Sequence, residues 1–285
     1  MAASYIEVAI AADSSVMDEL SALMGQLGFE GFWEEGETLR CFISTARWNP
    51  DMKAEVERMA TMLVRSSSSV TPRVSVRPIE DQNWNAEWEK TIQPIRVSDR
   101  IVIRPSWHDY AAEPNQIVLV IDPKMSFGTG YHETTRLTLR LLEKHTHTGM
   151  RVLDIGTGTG VLAIASVKLG AAQALGVDVD EWSYSNALEN ARLNEVENAV
   201  AIRQGELHDV KETGFDMIVA NIQRNVLEPL LPGMKARLTP RGIILLSGLL
   251  ESDEQPMIDA IHAAGFRLIE ELQEGEWIAL AAFLP

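Results

Sequence analysis

The chain has 285 residues, which is enough for two compact domains or for one large domain with an appendage. Hydrophobic residues make up 46% and charged residues 23% of the sequence, and this composition excludes wholesale disorder. The formal net charge of -16 disfavours sequence-independent binding to nucleic acid and favours a basic partner, although a charge of this sign also serves solubility alone.

Targeting and redox features are few. No run approaches the ~20 consecutive apolar residues of a membrane-spanning helix, and no basic stretch followed by an apolar run stands at the start of the chain. The single cysteine, Cys41, has no internal disulfide partner and lies in a predicted strand, where we expect a small core residue. Together these features predict a cytoplasmic protein without membrane association.

Residues 1–80 have the pattern of a small α+β domain in the order β-α-β-β-α-β, which is the ferredoxin-like arrangement. The pattern predicts a strand at 6–10, a helix over 16–27 capped by Asp13 or Ser14, a hairpin of 31–33 and 39–43, a helix over 52–63 and a strand over 70–76. This fold serves many functions, so it does not by itself indicate one.

Residues 81–121 form a predicted connector with two tryptophans, Trp84 and Trp88, and short apolar strands at 101–103 and 117–121. From 122 to 285, strands alternate with helices, which predicts a mostly parallel sheet covered by helices on both faces. The strands are expected at 151–155, 174–177, 199–202, 217–220 and 243–246, and the helices include 161–169 and 181–194, the latter capped by Asp180. The segments 266–270 and 276–283 flank a turn and predict a terminal hairpin with an antiparallel last strand.

The strongest chemical motif is VLDIGTGTG at 152–160, a strand that leads through a glycine turn into a helix. Glycines allow a ligand to approach the backbone closely, and a helix N-terminus favours a negative group. The dinucleotide pattern requires Gly or Ala at 161, where this chain has Val161. Asp154 precedes the first glycine and is positioned to hold an α-amino group.

A second motif, GVDVD at 176–180, follows the next strand. An acidic residue at this point accepts hydrogen bonds from the ribose hydroxyls of a nucleoside. Asp178 fits that role, whereas Asp180 fits a helix cap. Both the nicotinamide and the methyl-donor interpretations place an acid here, so Asp178 indicates a nucleoside without identifying it.

Together, Asp154, the glycines at 156, 158 and 160, and Asp178 resemble the class I S-adenosylmethionine-dependent methyltransferases. The segment DPKMSFGTGYHETTR at 122–136 is more specific, because it is similar to the DPxxxFGTGxHxTT signature of the family that methylates the eleventh protein of the large ribosomal subunit, L11. The stretch NWNAEW at 83–88 also resembles this family's connector. The resemblance implies a Rossmann-like methyltransferase domain and a ferredoxin-like domain that recognises the substrate.

The resemblance also implies a set of site residues. Phe127, Gly128 and Thr129 would form a loop over the methionine end of S-adenosylmethionine, and Glu206 would lie near the adenine. The implied cofactor-binding set is Phe127, Gly128, Thr129, Thr135, Asp154, Gly156, Gly158, Asp178, Glu206 and Asn221. No His, Cys or acidic residues stand at metal-ligand spacing around His145 and His147, so no metal is expected.

Several positions depart from the family pattern. Glu133 stands where proline is common, Tyr131 where a small residue is common and Thr157 where cysteine is frequent. After Asn221 and Ile222, the segment 223–225 (QRN) is more polar than the family's usual apolar continuation. This last difference bears on the choice of acceptor more than on the use of the cofactor.

The reaction implied is transfer of methyl groups to lysine or N-terminal amines of ribosomal protein L11. Asn221, at the end of the fourth strand, is the expected catalytic residue, because its oxygen can accept an N–H of the amine and aim the lone pair. The alternative role for Asn221 is contact with the cofactor or a turn cap. His132 is expected to shape the signature loop.

Other functions are less well supported by the sequence. The same chemistry on another protein or on a small molecule is the main alternative, and the acidic charge counts against RNA. A nicotinamide-dependent oxidoreductase is disfavoured by Asp154 and Val161, and a non-catalytic module by the intact glycine turn. The sequence specifies no oligomeric state, and we expect a monomer.

Overall fold

The computed structural model of this protein describes residues 5–12, 16–36, 38–49, 51–67, 73–79, 92–124 and 126–285. The chain divides into two compact units, Met1–Thr91 and Ile92–Pro285. Among the described residues, no helix is long and apolar enough to cross a membrane.

The first unit is a four-stranded antiparallel sheet with two helices. Its elements are β1 (Tyr5–Ala11), α1 (Met17–Gln26), β2 (Gly31–Glu35), β3 (Thr38–Ser44), α2 (Asp51–Ser67) and β4 (Arg73–Ile79). The strand order is β2-β3-β1-β4, so the predicted ferredoxin-like arrangement is confirmed. The expected caps Asp13 and Ser14, the start of the last strand at Val70, and Trp84 and Trp88 lie outside the described residues.

The two faces of this first sheet differ in polarity. Alternate residues such as Val8 and Leu39 are fully buried, and Cys41 is buried with them, as expected for a core residue. Burial raises the pKa of the Cys41 thiol to about 12, so the group stays protonated. On the opposite face, the Glu7 carboxylate pairs with Arg40 and Arg77, each at 2.8 Å, and these contacts lower its pKa against the effect of burial.

The second unit is a mixed α/β structure. Its strands are β5 (Ile95–Arg96), β6 (Ile101–Arg104), β7 (Ile117–Val120), β8 (Arg151–Ile155), β9 (Gln173–Asp178), β10 (Val200–Gln204), β11 (Phe215–Asn221), β12 (Leu238–Leu250), β13 (Arg267–Glu274) and β14 (Trp277–Phe283). Its helices are α3 (Glu133–His145), α4 (Val161–Lys168), α5 (Glu181–Leu193), α6 (Arg224–Lys235) and α7 (Glu254–Ala263).

The main sheet of the second unit has seven strands in the order β10-β9-β8-β11-β12-β14-β13. The first five strands are parallel and β14 is antiparallel to β12, which confirms the predicted parallel sheet with a terminal hairpin. Alternate residues pack into two separate apolar cores, for example Val152 on one face and Leu153 on the other. Helices on both faces cover these cores, as the alternating pattern predicts.

The strand β12 is much longer than the predicted 243–246. The residues Thr239, Pro240, Arg241 and Gly242 interrupt the apolar run and indicate a turn in the sequence. In the structure they continue the strand through an irregularity at which Arg241 has φ 65°. Leu238 and Ile243, on either side of these four residues, pair with Phe215 and Met217 of β11, so the irregularity lies within the strand.

A row of buried asparagines on α5 holds the segment that leads into the signature loop. Asn194, at the helix end, exchanges hydrogen bonds with the backbone of Val120, and Asn190 does so with the backbone of Asp122. The Asn186 amide donates to Pro123 O at 2.9 Å. These three asparagines are spaced four residues apart, so they share one face of the helix.

We expect Asn190→Ala to lower the free energy of unfolding by about 3 kcal/mol, because it leaves the buried N–H of Asp122 and the carbonyl of Thr159 without partners. Chemical denaturation monitored by circular dichroism measures the change. Arg192→Ala, at an exposed position of the same helix, is the control and should change the value by less than about 0.5 kcal/mol. Equal effects of the two variants would contradict the structural role given to Asn190.

Candidate active site

A cavity of about 750 Å³ opens at the carboxyl ends of β8, β9 and β11. The strand order reverses at β8, and ligands of open α/β sheets bind at such a switch point. The lining residues come from the signature loop, the glycine turn, the ends of β9 and β11 and the terminal hairpin. They include Phe127, His132, Gly156, Gly158, Asp178, Val179, Glu206, Asn221, Ile222, Gln223, Val226 and Trp277.

Six of the residues expected from the sequence line this one cavity, namely Phe127, Gly156, Gly158, Asp178, Glu206 and Asn221. The structure therefore brings together residues that are up to 94 positions apart in the chain (127 to 221). Gly128, Thr129, Thr135 and Asp154 are not among the lining residues. Thr135 and Asp154 are fully buried, and Thr135 contacts a residue that does line the cavity.

The glycine turn has no room for side chains. Gly156, Gly158 and Gly160 all have positive φ, at 70°, 54° and 81°. A Cβ atom on Gly158 would lie 2.3 Å from the carbonyl oxygen of Phe127, and one on Gly156 would lie 2.7 Å from the Ile222 side chain. The turn therefore requires glycine for both its backbone conformation and its close contacts.

Two hydrogen bonds join the glycine turn to the signature loop. Thr159 donates its backbone N–H to Phe127 O and its hydroxyl to Gly128 O, both at 2.8 Å. Gly130 lies against Ile103 of β6, where a Cβ atom would come within 2.4 Å of that side chain. The loop is thus held on both sides, and Phe127 remains 53% exposed above the cavity.

Asp154 combines complete burial with an unsatisfied oxygen. Its Oδ2 accepts hydrogen bonds from the Thr157 hydroxyl at 2.6 Å and from the Ala163 N–H at 3.2 Å. Its Oδ1 has no hydrogen-bond partner among the described residues. Burial raises the pKa of this carboxyl to about 7, against the lowering effect of the two hydrogen bonds. A buried carboxylate oxygen without a donor indicates a place for a ligand donor.

The other two carboxylates lie nearer to solvent. Asp178 Oδ2 accepts the Gly158 N–H at 2.9 Å, and Asp178 Oδ1 accepts the Asp180 N–H at 3.0 Å. The side chain is therefore fixed at the end of β9, with lone pairs left for further donors. Glu206 follows β10 and lies 3.2 Å from the His208 ring, on the rim of the cavity.

Asn221 ends β11 and is 9% exposed. Its Nδ2 donates to the Thr135 hydroxyl at 3.5 Å, whereas its Oδ1 has no hydrogen-bond partner among the described residues. Asn221 itself lines the cavity, and its Oδ1 is a buried acceptor left without a donor in the described part of the chain. Asn221 thus presents a hydrogen-bond acceptor to a ligand.

An aromatic wall of Phe127, His132 and Trp277 lines one side of the cavity, and only Trp277 was not expected from the sequence. The His132 ring lies 5.3 Å from the Phe127 ring and 4.7 Å from the Trp277 ring. His132 Nδ1 also accepts the Thr134 N–H and caps α3, which agrees with the expected role of shaping the loop. Trp277 follows the hairpin turn more than fifty residues after Asn221, and no local motif indicates its position.

The charged side chains that line the cavity are acidic. Asp178 and Glu206 line the cavity, and within the described ranges no lysine or arginine does so. Such a wall favours cations over phosphates or carboxylates. In the same part of the chain, no group of three or more His, Cys, Asp or Glu side chains has the arrangement of a metal site.

Comparison with known proteins gives a consistent family assignment. The family model described as Ribosomal protein L11 methyltransferase (PrmA) matches residues 5–283. The Ribosomal protein L11 methyltransferase of Chlorobaculum tepidum is 39% identical over 280 residues, which cover 97% of this chain and 95% of that protein. The protein of the same name from Pelotomaculum thermopropionicum is 40% identical over 229 residues, covering 80% and 74% of the two chains.

A solved structure gives the same result. The crystal structure of a ribosomal protein L11 methylase from Lactobacillus delbrueckii subsp. bulgaricus superposes with a TM-score of 0.63 at 34% sequence identity. The match covers 66% of this chain and 97% of that chain. The predicted class I methyltransferase fold is confirmed, and the chain belongs to the ribosomal protein L11 methyltransferase family.

Proposed function

We propose that this protein transfers methyl groups from S-adenosylmethionine to lysine or N-terminal amines of ribosomal protein L11. The observation that carries the proposal is the cavity itself, which combines a class I glycine turn with two acidic residues and without a lysine or arginine among its described lining residues. An acidic wall attracts both proposed ligands, the sulfonium of the cofactor and the amine of the substrate. The proposed location is the cytoplasm, and the proposed role of the first unit is to recognise the substrate protein.

The residues of the site fit S-adenosylmethionine in three respects. The free Oδ1 of Asp154 suits a cationic amino group, because a buried carboxylate needs a charged donor. Gly156 and Gly158 line the cavity without side chains, which suits close contact between ligand and backbone. Asp178 suits the ribose hydroxyls, and Glu206 lies where the adenine is expected.

Bound S-adenosylmethionine supplies an electrophilic methyl group, so the chain's own task is to position a neutral amine and to exclude water. A lysine amine has a pKa of ~10.4 in water, and desolvation in this cavity lowers it. The free Oδ1 of Asn221 accepts one N–H and leaves the nitrogen lone pair directed at the methyl group. Thr135 holds the Asn221 amide in that orientation.

Methyl transfer to purified L11 tests the proposal. With radiolabelled S-adenosylmethionine, we expect label in L11 and none in bovine albumin or total RNA, followed by mass spectrometry of the modified peptides. Label on lysine or on the N-terminal amine supports the amine chemistry. Binding of the cofactor without label in L11 would refute the ribosomal acceptor and favour another protein or a small molecule, with the polar segment 223–225 as the first place to search for its contacts.

We expect Asn221→Ala to lower kcat by at least about a hundredfold, because the amine loses the acceptor that aligns it. Stopped-flow or steady-state methyl transfer to L11 measures kcat, and calorimetry measures the affinity for the cofactor, which should stay within about threefold of wild type. Asn198→Ala, an exposed change outside the cavity lining, is the control. A large loss of cofactor affinity in Asn221→Ala would instead assign this residue to cofactor binding.

Cofactor affinity should depend on pH through Asp154. The pKa of this carboxyl is about 7, so the group is mostly protonated at pH 6, and an ammonium beside it favours ionisation. Cofactor binding near pH 6 is therefore expected to release about one proton, and affinity to rise about tenfold per pH unit up to about pH 7 and then level off. The stability of the ligand-free protein depends on pH in the opposite direction. The Asp154 carboxyl ionises near pH 3.8 in the unfolded chain and near pH 7 in the folded protein, so the free energy of unfolding falls as the pH rises from 3.8 to about 7.

Calorimetry in two buffers with different ionisation enthalpies, at pH 5.5, 6.5 and 7.5, measures both the affinity and the proton release. Asp154→Asn is the matched variant, since its side chain still accepts the Thr157 hydroxyl. It should bind the cofactor more weakly and release no proton. The same proton release in wild type and variant would show that another group accounts for the pH dependence.

A further inference from the structure

Exposed apolar side chains collect around the mouth of the cavity. Among its described residues, the second unit has eight large hydrophobic side chains that are exposed, and three of them, Phe127, Val179 and Val226, line the cavity. A fourth, Trp182, stands next to the lining residue Ser183 and is 76% exposed. Large apolar patches at the surface of a protein mark interaction sites when polar residues surround them.

Trp182 is held in place although it is exposed. It lies in the first turn of α5, and the carboxylate of Asp180 caps this turn by accepting the N–H and the hydroxyl of Ser183 at 2.9 and 3.0 Å. These bonds lower the pKa of Asp180, so the cap stays ionised at neutral pH. The indole therefore extends from a fixed helix end, which suits a preorganised contact.

The polar groups around this patch are acidic. Asp178 and Glu206 line the cavity, and Asp180 and Glu181 stand immediately before Trp182. The basic residues of the signature segment, Lys124 and Arg136, are both paired with carboxylates. An apolar centre with an acidic rim is complementary to a segment that carries both lysines or arginines and apolar side chains.

We propose that Val179, Glu181, Trp182 and Val226 form a docking surface, here called the mouth patch, for a basic and apolar segment of the protein that presents the acceptor amine. The proposal rests on the proposed function. It gives the second unit, which contains the cavity, its own contact with the substrate protein. Trp182 supplies the central contact, because its ring offers both apolar area and a face for a cationic side chain. Glu181 adds charge complementarity beside it.

The main competing occupant is the cofactor. Val179 and Asp178 line the cavity and lie near any nucleoside bound there, whereas Trp182 is not among the lining residues and points to solvent. The Trp182 side chain is therefore assigned to the protein substrate. Replacement of Trp182 should therefore change KM for L11 and leave the affinity for S-adenosylmethionine unchanged.

The test compares three variants of the full chain in methyl transfer to L11. Trp182→Ala should raise KM for L11 about tenfold, and Glu181→Gln about threefold, with kcat and the affinity for S-adenosylmethionine unchanged. Leu193→Ala is the matched control, because it removes another exposed apolar side chain from the other end of α5, about 16 Å along the helix axis. It should leave all three constants unchanged. Added salt should raise KM less in Glu181→Gln than in wild type.

Several outcomes overturn the inference. An unchanged KM in Trp182→Ala removes the mouth patch as a docking surface, and a loss of cofactor affinity in this variant assigns the indole to the cofactor. An equal effect of Leu193→Ala shows that the response is not specific to the patch. If wild-type protein binds the cofactor but does not label L11, the proposed function fails together with the inference. Wild-type labelling with unchanged constants in Trp182→Ala refutes the inference alone.

Discussion

The site depends on one interaction, the hydrogen bond from the Thr159 N–H to the carbonyl oxygen of Phe127. It joins the glycine turn to the signature loop, and it is possible only because Gly158 has no Cβ atom in the path of that carbonyl. The buried asparagines of α5 hold the start of the same loop. The cavity is therefore formed by two loops that fix each other, and the sheet supplies the rigid frame to which both are attached.

Two unsatisfied oxygens give this frame its chemistry. Asp154 Oδ1 and Asn221 Oδ1 are both buried without a partner among the described residues, and each lies at the carboxyl end of a parallel strand. Buried polar atoms are normally paired, so the fold bears a cost at these positions that a ligand can offset. The proposed cofactor and amine supply a donor to each. The opposite case is Glu7 in the first unit, whose carboxylate is fully paired with arginines and serves the fold.

The long strand β12 and the aromatic wall show where prediction from sequence was incomplete. Thr239, Pro240, Arg241 and Gly242 favour a turn locally, yet β12 extends past them to Leu238, which pairs with Phe215 of β11. Trp277 lies in the cavity because β14 inserts between β12 and β13, a placement that depends on the sheet order. The polar Gln223 lies in the lining as well.

The sequence by itself determined the alternating α/β pattern of the second unit, the ferredoxin-like order of elements in the first unit and several of the motif residues that line the cavity, because these follow from periodicity and from short signatures with local geometry. Only the tertiary structure decided which motif residues reach the cavity. Asp154 and Thr135 are fully buried next to the lining residues Ile155 and Thr134, whereas His132, Val226 and Trp277 line the cavity. The physical reason is that burial and contact depend on the order in which distant strands pair, and local sequence does not encode that order.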